Sequence, residues 1–175
     1  MIWGWPLCLA LLVGAQRLAE LALAAANGRR LRAAGAVEVG AGHYPLIVGL
    51  QVAWLLCLGL AVPPGAALSP WWLGLFLLLQ MARLWVIATL GRYWTTRVYH
   101  LPEVPLVRRG PYRLLKHPNY VVVLAEVVVL PLVVGAWWVA LLFGPLQALL
   151  LLWRIRVEER ALATRRGLPG EPARV

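Results

Sequence analysis

The chain is poor in acidic residues. Only 7 of its 175 residues are Asp or Glu, against 17 Lys and Arg, for a formal net charge of +10. Charged residues of both signs make up 14% of the sequence, where a soluble domain carries roughly 25%. That shortage excludes an ordinary soluble domain. Cysteine is scarce too. Cys8 and Cys57 both lie inside apolar runs, without metal or redox spacing, and read as small buried hydrophobes. No basic stretch precedes the first apolar run and no obvious cleavage site follows it. The N-terminal segment therefore reads as a membrane span and not as a removable signal. No internal repeat is evident. This length leaves room for one bundle and no second domain.

What the chain has in abundance is apolar sequence: 62% of residues are hydrophobic and the mean hydropathy is +0.75. Five apolar segments emerge, at about 2–26, 44–62, 71–91, 119–134 and 137–153. A bilayer core of about 30 Å needs about 20 helical residues, and the first three segments meet that. The last two form one stretch from Asn119 to Trp153 whose only charge is Glu126. As a single helix it would be about 52 Å long, too much even when tilted. Two short helices turning at Gly135-Ala136 fit better. Pro131 helps end the first, and Trp137-Trp138 sit at the headgroup level.

The basic residues support this division. Arg29, Arg30 and Arg32 follow the first segment. Arg92, Arg97, Arg108, Arg109, Arg113 and Lys116 follow the third. Arg154, Arg156, Arg160, Arg165, Arg166 and Arg174 follow the fifth. The connections near 63–70 and 134–136 carry none. Five spans place every basic loop on one side, the cytoplasm, with the N-terminus outside and the C-terminus inside. Four spans would put the basic tail outside. The same reading explains the +10 charge without nucleic acid. The expected architecture is an all-α integral membrane protein of five transmembrane helices, the last two a short hairpin. Residues 1–91 hold three spans, 92–160 the chemistry-bearing core, and 161–175 a basic cytoplasmic tail.

Polar residues inside the spans are few. Arg17 and Glu20 are spaced to pair on one helix face, as are Gln80 and Arg83. Glu126 lies two turns into the fourth segment. Such groups face the bundle and pair, so the structural expectation is an ion pair of Glu126 with Arg83 or Arg17. A functional role for Arg17, Glu20, Arg83 and Glu126 stays open.

Two polar clusters crowd the membrane-length segments. The first runs Arg108-Arg109-Gly110-Pro111-Tyr112-Arg113 to Lys116-His117-Pro118-Asn119-Tyr120. Gly110-Pro111 suits the start of a short helical piece. His117 precedes a proline and is pushed out of the α region, which makes it an N-cap-like residue at an interface. The N–H groups of Asn119, Tyr120 and Val121 then point back as an anion site. The plainer reading is a helix boundary with aromatic and basic anchors. The second cluster is Arg154-Ile155-Arg156-Val157-Glu158-Glu159-Arg160. Arg154 with Glu158 and Arg156 with Glu159 could simply pair. Yet acid at a helix C-terminus opposes the macrodipole, a cost that makes sense if the carboxylates meet ribose hydroxyls or an ammonium. Gly144-Pro145 breaks one helix bond at membrane depth, which is tolerated beside a cavity or another helix.

Together, Gly110-Pro111-Tyr112-Arg113, Lys116-His117-Pro118-Asn119-Tyr120 and Arg154-Ile155-Arg156-Val157-Glu158-Glu159 resemble the isoprenylcysteine carboxyl methyltransferase family. The likeness runs from about Leu90 to Leu162. It is closer to the short bacterial branch, where segments like Asn27 to Tyr44 and Leu90 to Arg97 recur. The resemblance implies methyl transfer from S-adenosylmethionine to a lipophilic acceptor. It assigns the cofactor to Tyr112, His117, Pro118, Tyr120, Glu158 and Glu159, and a catalytic or carboxylate-binding part to His117, Arg113 and Arg154. Lys116 stands where the family has Arg. The tail from Ala161 lacks the aromatic pattern of the eukaryotic prenylcysteine enzymes. The likeness to the short bacterial branch implies an alkylpyrone or phenolic lipid hydroxyl as acceptor beside the isoprenylcysteine-type carboxylate. It would enter from the bilayer, with membrane lipids as the surroundings and no nucleic acid or metal involved. Two other classes fit parts of the pattern: a membrane reductase whose similar hairpin binds NADPH, and a small transporter or scaffold built on the intramembrane charges.

Overall fold

Backbone amides in hydrocarbon must be bonded within the chain, and the five apolar segments answer with helices. The computed structural model describes residues 4–39, 42, 44–100 and 107–165. Its helices are α1 (Trp5–Ala33), α2 (Tyr44–Leu56), α3 (Pro70–Leu90), α4 (Pro118–Val133) and α5 (Trp137–Arg165). The end of α2 loosens into a π-helical turn, Cys57–Ala61. Among the described residues, four helices are long and apolar enough to cross a membrane. The fifth, α4, has 16 residues and is about 24 Å long, short of a full hydrocarbon core.

Several expectations need correction. α1 continues past residue 26 to Ala33. α5 is not short: it runs through Trp153 and the paired glutamates to Arg165. Pro131 does not end α4, which goes on to Val133, since the missing N–H removes only the one bond to the Val127 carbonyl. A short ladder is added to the all-α architecture. Val37–Val39 (β1) pairs antiparallel with Val98–His100 (β2), Val37 opposite His100. Cys8 is exposed on its helix and Cys57 is half-buried, so neither is a core residue. The basic tail of 161–175 falls outside the described residues from 166 onward.

The reversal between α4 and α5 lies where the sequence places it. Gly135 adopts φ +69°, a left-handed conformation that glycine takes without a Cβ penalty. The amide of Ala136 reaches back to the carbonyl of Pro131 at 2.9 Å, closing the turn. The two helices then run antiparallel.

Contacts between connections sort the bundle into two ends. The amide of Ser69, just before α3, bonds the carbonyl of Val133 at 2.8 Å. Gly4 lies against Pro64. At this end stand the exposed Trp5, Trp71, Trp72, Trp137 and Trp138, an aromatic girdle of the kind found at a membrane interface. At the other end the amide of Asn27 bonds the carbonyls of Gly91 and Trp94 at 3.1 and 2.9 Å, satisfying the end of α3. The Tyr44 hydroxyl meets Thr96 Oγ1 at 3.2 Å. The β-ladder and the connection leading into α4 are here as well, so the basic connections after α1, α3 and α5 share one end.

Between the ends, α1, α3 and α4 are joined by charge. Glu126, fully buried on α4, accepts from Arg17 Nη2, from Arg83 Nη1 at 2.9 Å and from Gln80 Nε2 at 2.9 Å. Glu20 accepts from Arg17 Nη1 at 2.9 Å, from Gln16 Nε2 at 3.0 Å and from two nitrogens of Arg83. Gln16 also donates to Gln80 at 2.8 Å. Two arginines and two glutamates cancel, which is what burial in low dielectric demands. The expected pairing of Glu126 with Arg83 or Arg17 is present with both partners.

Charge balance sets the expected outcome of breaking this cluster. Glu126→Leu leaves a net buried positive charge and should cost about 3–5 kcal/mol. The double variant Arg83→Met/Glu126→Leu keeps a balanced Arg17–Glu20 pair and should cost less. Reversible unfolding in mixed micelles measures both. A double variant less stable than the single one would refute the neutrality argument.

Candidate active site

The first motif is pinned to α3 by a glycine. Gly110 has φ +57°, and a Cβ there would stand 2.6 Å from Thr89 Oγ1. No other residue can bring the backbone so close to the last turns of α3. Pro111, buried, then opens a 3-10 turn, Gly110–Arg113, its fixed φ suiting the first helical position. This turn aims Tyr112 inward, where it packs with Ala24, Val86 and Trp94. Burial pushes the Tyr112 phenol up to about 12, and the nearby Glu158 charge adds to the effect. Tyr112 is a neutral hydroxyl at any physiological pH.

His117 caps α4 by position, at φ −130° and ψ 61°, but its side chain makes no capping bond. Pro118 follows as the first helical residue. The expected anion site on the helix N-terminus is largely used up. The amides of Tyr120 and Val121 both turn to the His117 carbonyl, at 3.1 and 3.4 Å. The cap conformation closes the first turn on itself.

Because α5 runs back along α4, its cytoplasm-expected end arrives beside this cap. The Tyr120 hydroxyl donates to Glu158 Oε2 at 2.6 Å and accepts from Arg154 Nε at 2.9 Å. The Arg154 guanidinium also lies over the Tyr120 ring, 5.4 Å from its centroid. The His117 ring stacks on Tyr120 at 5.3 Å and 13°. Its Nδ1 is 3.8 Å from Glu158 Oε2, too far for a hydrogen bond but close enough to pair when protonated. Lys116 Nζ bridges Glu159 Oε1 at the exposed rim. Glu158 thus bonds across to the other motif, where simple pairing along α5 was the plainer expectation.

The structure brings Tyr112, His117, Pro118, Tyr120, Arg154, Glu158 and Glu159 to one face. It leaves Arg113 out: that side chain is exposed and, among the described residues, makes no bond to the cluster. Two buried atoms at the face lack a hydrogen-bond partner among the described residues, His117 Nε2 and Asn119 Oδ1. The sequence singled out the Asn119 backbone N–H but not its side chain, since an amide at the second position of a helix carries no signal of its own. Buried polar atoms are normally satisfied, so these two are open positions for a ligand. With two carboxylates, a buried guanidinium and an imidazole, the face can hold a cationic, hydroxyl-rich molecule and move a proton.

These features define an integral membrane protein with a polar ligand face built on a helical hairpin. A model of the isoprenylcysteine carboxyl methyltransferase (ICMT) family matches residues 72–164. The uncharacterized protein YpbQ of Bacillus subtilis is 40% identical over 162 residues, 90% of this chain and 95% of that protein. An uncharacterized protein of Haemophilus influenzae is 35% identical over 80 residues, 45% of this chain and 46% of that one. No solved structure matches. The chain belongs to the isoprenylcysteine carboxyl methyltransferase family, a family of membrane methyltransferases.

The raised Tyr112 value has a signed consequence. The stability it contributes is complete below pH 10, the ordinary phenol value, and is lost as pH rises through about 12. The phenolate absorbance difference between wild type and Tyr112→Phe should develop near pH 12. Development near pH 10 would contradict the burial. Tyr120→Phe removes the hydroxyl between Arg154 and Glu158. It should lower stability by about 1–3 kcal/mol, read by thermal unfolding in detergent.

Proposed function

We propose that this protein transfers a methyl group from S-adenosylmethionine to an oxygen of a lipophilic acceptor, at the cytoplasmic face of a bacterial inner membrane. The observation that carries the reading is the Tyr120 hydroxyl bonded to both Arg154 and Glu158. It joins the two family motifs into one face beside the unpartnered His117 Nε2. Five spans are part of the proposal, with α4 crossing as the short one, the N-terminus outside and the C-terminus inside. The basic connections grouped at the motif end support that orientation, and a cytosolic methyl donor requires it.

Glu158 and Glu159 would accept hydrogen bonds from ribose hydroxyls or an ammonium, and Tyr112, Pro118 and Tyr120 would supply the apolar and aromatic wall. The open Asn119 Oδ1 suits a further donor on the ligand. Arg154 would meet a carboxylate of cofactor or acceptor, and the exposed Arg113 would add a longer-range charge. When bound, S-adenosylmethionine supplies an electrophilic methyl group on a sulfonium centre. A carboxylate acceptor of the isoprenylcysteine type needs no base. A hydroxyl on an alkylpyrone or phenolic lipid must lose its proton, and His117 Nε2 would take it. The remaining contribution of the chain is orientation in a water-poor pocket. The acceptor would enter sideways from the bilayer, and nucleic acid plays no part.

The test is equilibrium binding to detergent-purified protein. Labelled S-adenosylmethionine should bind, NADPH should not, and His117→Ala and Glu158→Gln should each weaken binding about 10- to 100-fold. Unchanged affinity in both variants, or preferential binding of NADPH, would overturn the reading.

A further inference from the structure

The seam between α2 and α5 carries polarity that neither the charge cluster nor the motif face uses. Gln147 is fully buried, and Gln51 Nε2 donates to its Oε1 at 3.0 Å. A structural amide pair between membrane helices needs only that bond. Here more is left over. Gln147 Nε2 and Gln51 Oε1 are buried without a hydrogen-bond partner among the described residues. So is the indole Nε1 of Trp54, one turn along α2 from Gln51 and 1% exposed.

The unmet set is two donor nitrogens, the Gln147 amide and the Trp54 indole, and one acceptor oxygen. A hydroxyl has the matching chemistry: an oxygen able to accept from such N–H groups and a proton that Gln51 Oε1 could take. A carboxylate does not, because no cation stands in this trio to balance it at membrane depth. The seam also lies in line with the motif face. Gln147, Leu151 and Arg154 share the buried stripe of α5, with Gln147 about 10 Å below Arg154. On α2, Gln51 sits two turns below Tyr44, whose hydroxyl marks the same end of the bundle.

We propose that Gln51, Trp54 and Gln147 form a hydroxyl-recognising subsite that selects acceptors carrying an uncharged hydroxyl besides the oxygen that is methylated. The identity of the occupant as the methyl acceptor rests on the transferase reading above. A buried water has the same hydrogen-bonding chemistry, and the experiment separates the two.

The full chain in lipid nanodiscs is titrated with a pentadecyl resorcinol, the matched pentadecyl phenol and the matched benzoic acid. S-adenosylmethionine affinity is measured on the same samples. Wild type should prefer the resorcinol over the phenol by about 10-fold or more, the size expected when a site built for a hydroxyl loses it, and bind the acid least. Gln147→Leu and Trp54→Phe should each remove most of that preference and leave cofactor affinity unchanged. Trp54→Phe keeps an aromatic ring, so it guards against a merely misfolded Gln147 variant. Absence of the preference in wild type, or its survival in both variants, means that the trio holds at most a structural water, and the proposal fails. Failure of wild type to bind S-adenosylmethionine would instead sink the transferase reading, while the hydroxyl preference is still read directly from the lipid titrations.

Discussion

Glu126 cannot be ionised alone. It is buried completely in an apolar bundle, and its charge is tolerable only because Arg17 and Arg83 reach it from two other helices while Glu20 balances the second arginine. That requirement locks α1, α3 and α4 into one register. With α4 fixed, its first turn is held at a set height, and α3 presents Thr89 at the height where Gly110 must pass. The ligand face is therefore built on a foundation of charge neutrality some two turns beneath it. The arrangement is a closed cluster, each charge answered by opposite charge within it, and so suits a scaffold better than a conducting path.

The second organising feature is the return of α5. A left-handed glycine at 135 and a back-bond from Ala136 reverse the chain, and the length of α5 beyond its apolar part carries Arg154, Glu158 and Glu159 up to the α4 cap. Tyr120 is the common neighbour. Its hydroxyl is at once donor and acceptor, its ring carries the imidazole on one contact and the guanidinium on another. A short turn and one phenol are enough to convert two separated motifs into a single face.

Much of this was legible beforehand. Hydropathy located the helices, because segments deprived of water must satisfy their own amides. The turn at Gly135, the 3-10 start at Gly110-Pro111, the cap position of His117 and the pairing of Glu126 all follow from local rules or from the cost of isolated charge. Three kinds of feature were not legible. The short ladder between Val37–Val39 and Val98–His100 joins segments far apart in sequence and too brief to show a period. The extension of α5 past its apolar run depends on what the helix packs against, not on its own composition. The amide and indole groups of Asn119, Gln51, Trp54 and Gln147 are uncharged, and nothing in the sequence separates a satisfied amide from an orphaned one.

By itself, then, the sequence determined the membrane setting, the helix count, the shared end of the basic connections and the family motifs, since each depends on residue type and spacing along one segment. Tertiary structure alone decided which groups meet. It closed the helix amides on His117, turned Glu158 from its own helix to Tyr120, left Arg113 outside, and set the half-satisfied amides of α2 and α5 against each other. Those outcomes depend on distances between helices, and such distances follow from how side chains of different segments fill and neutralise a shared interior.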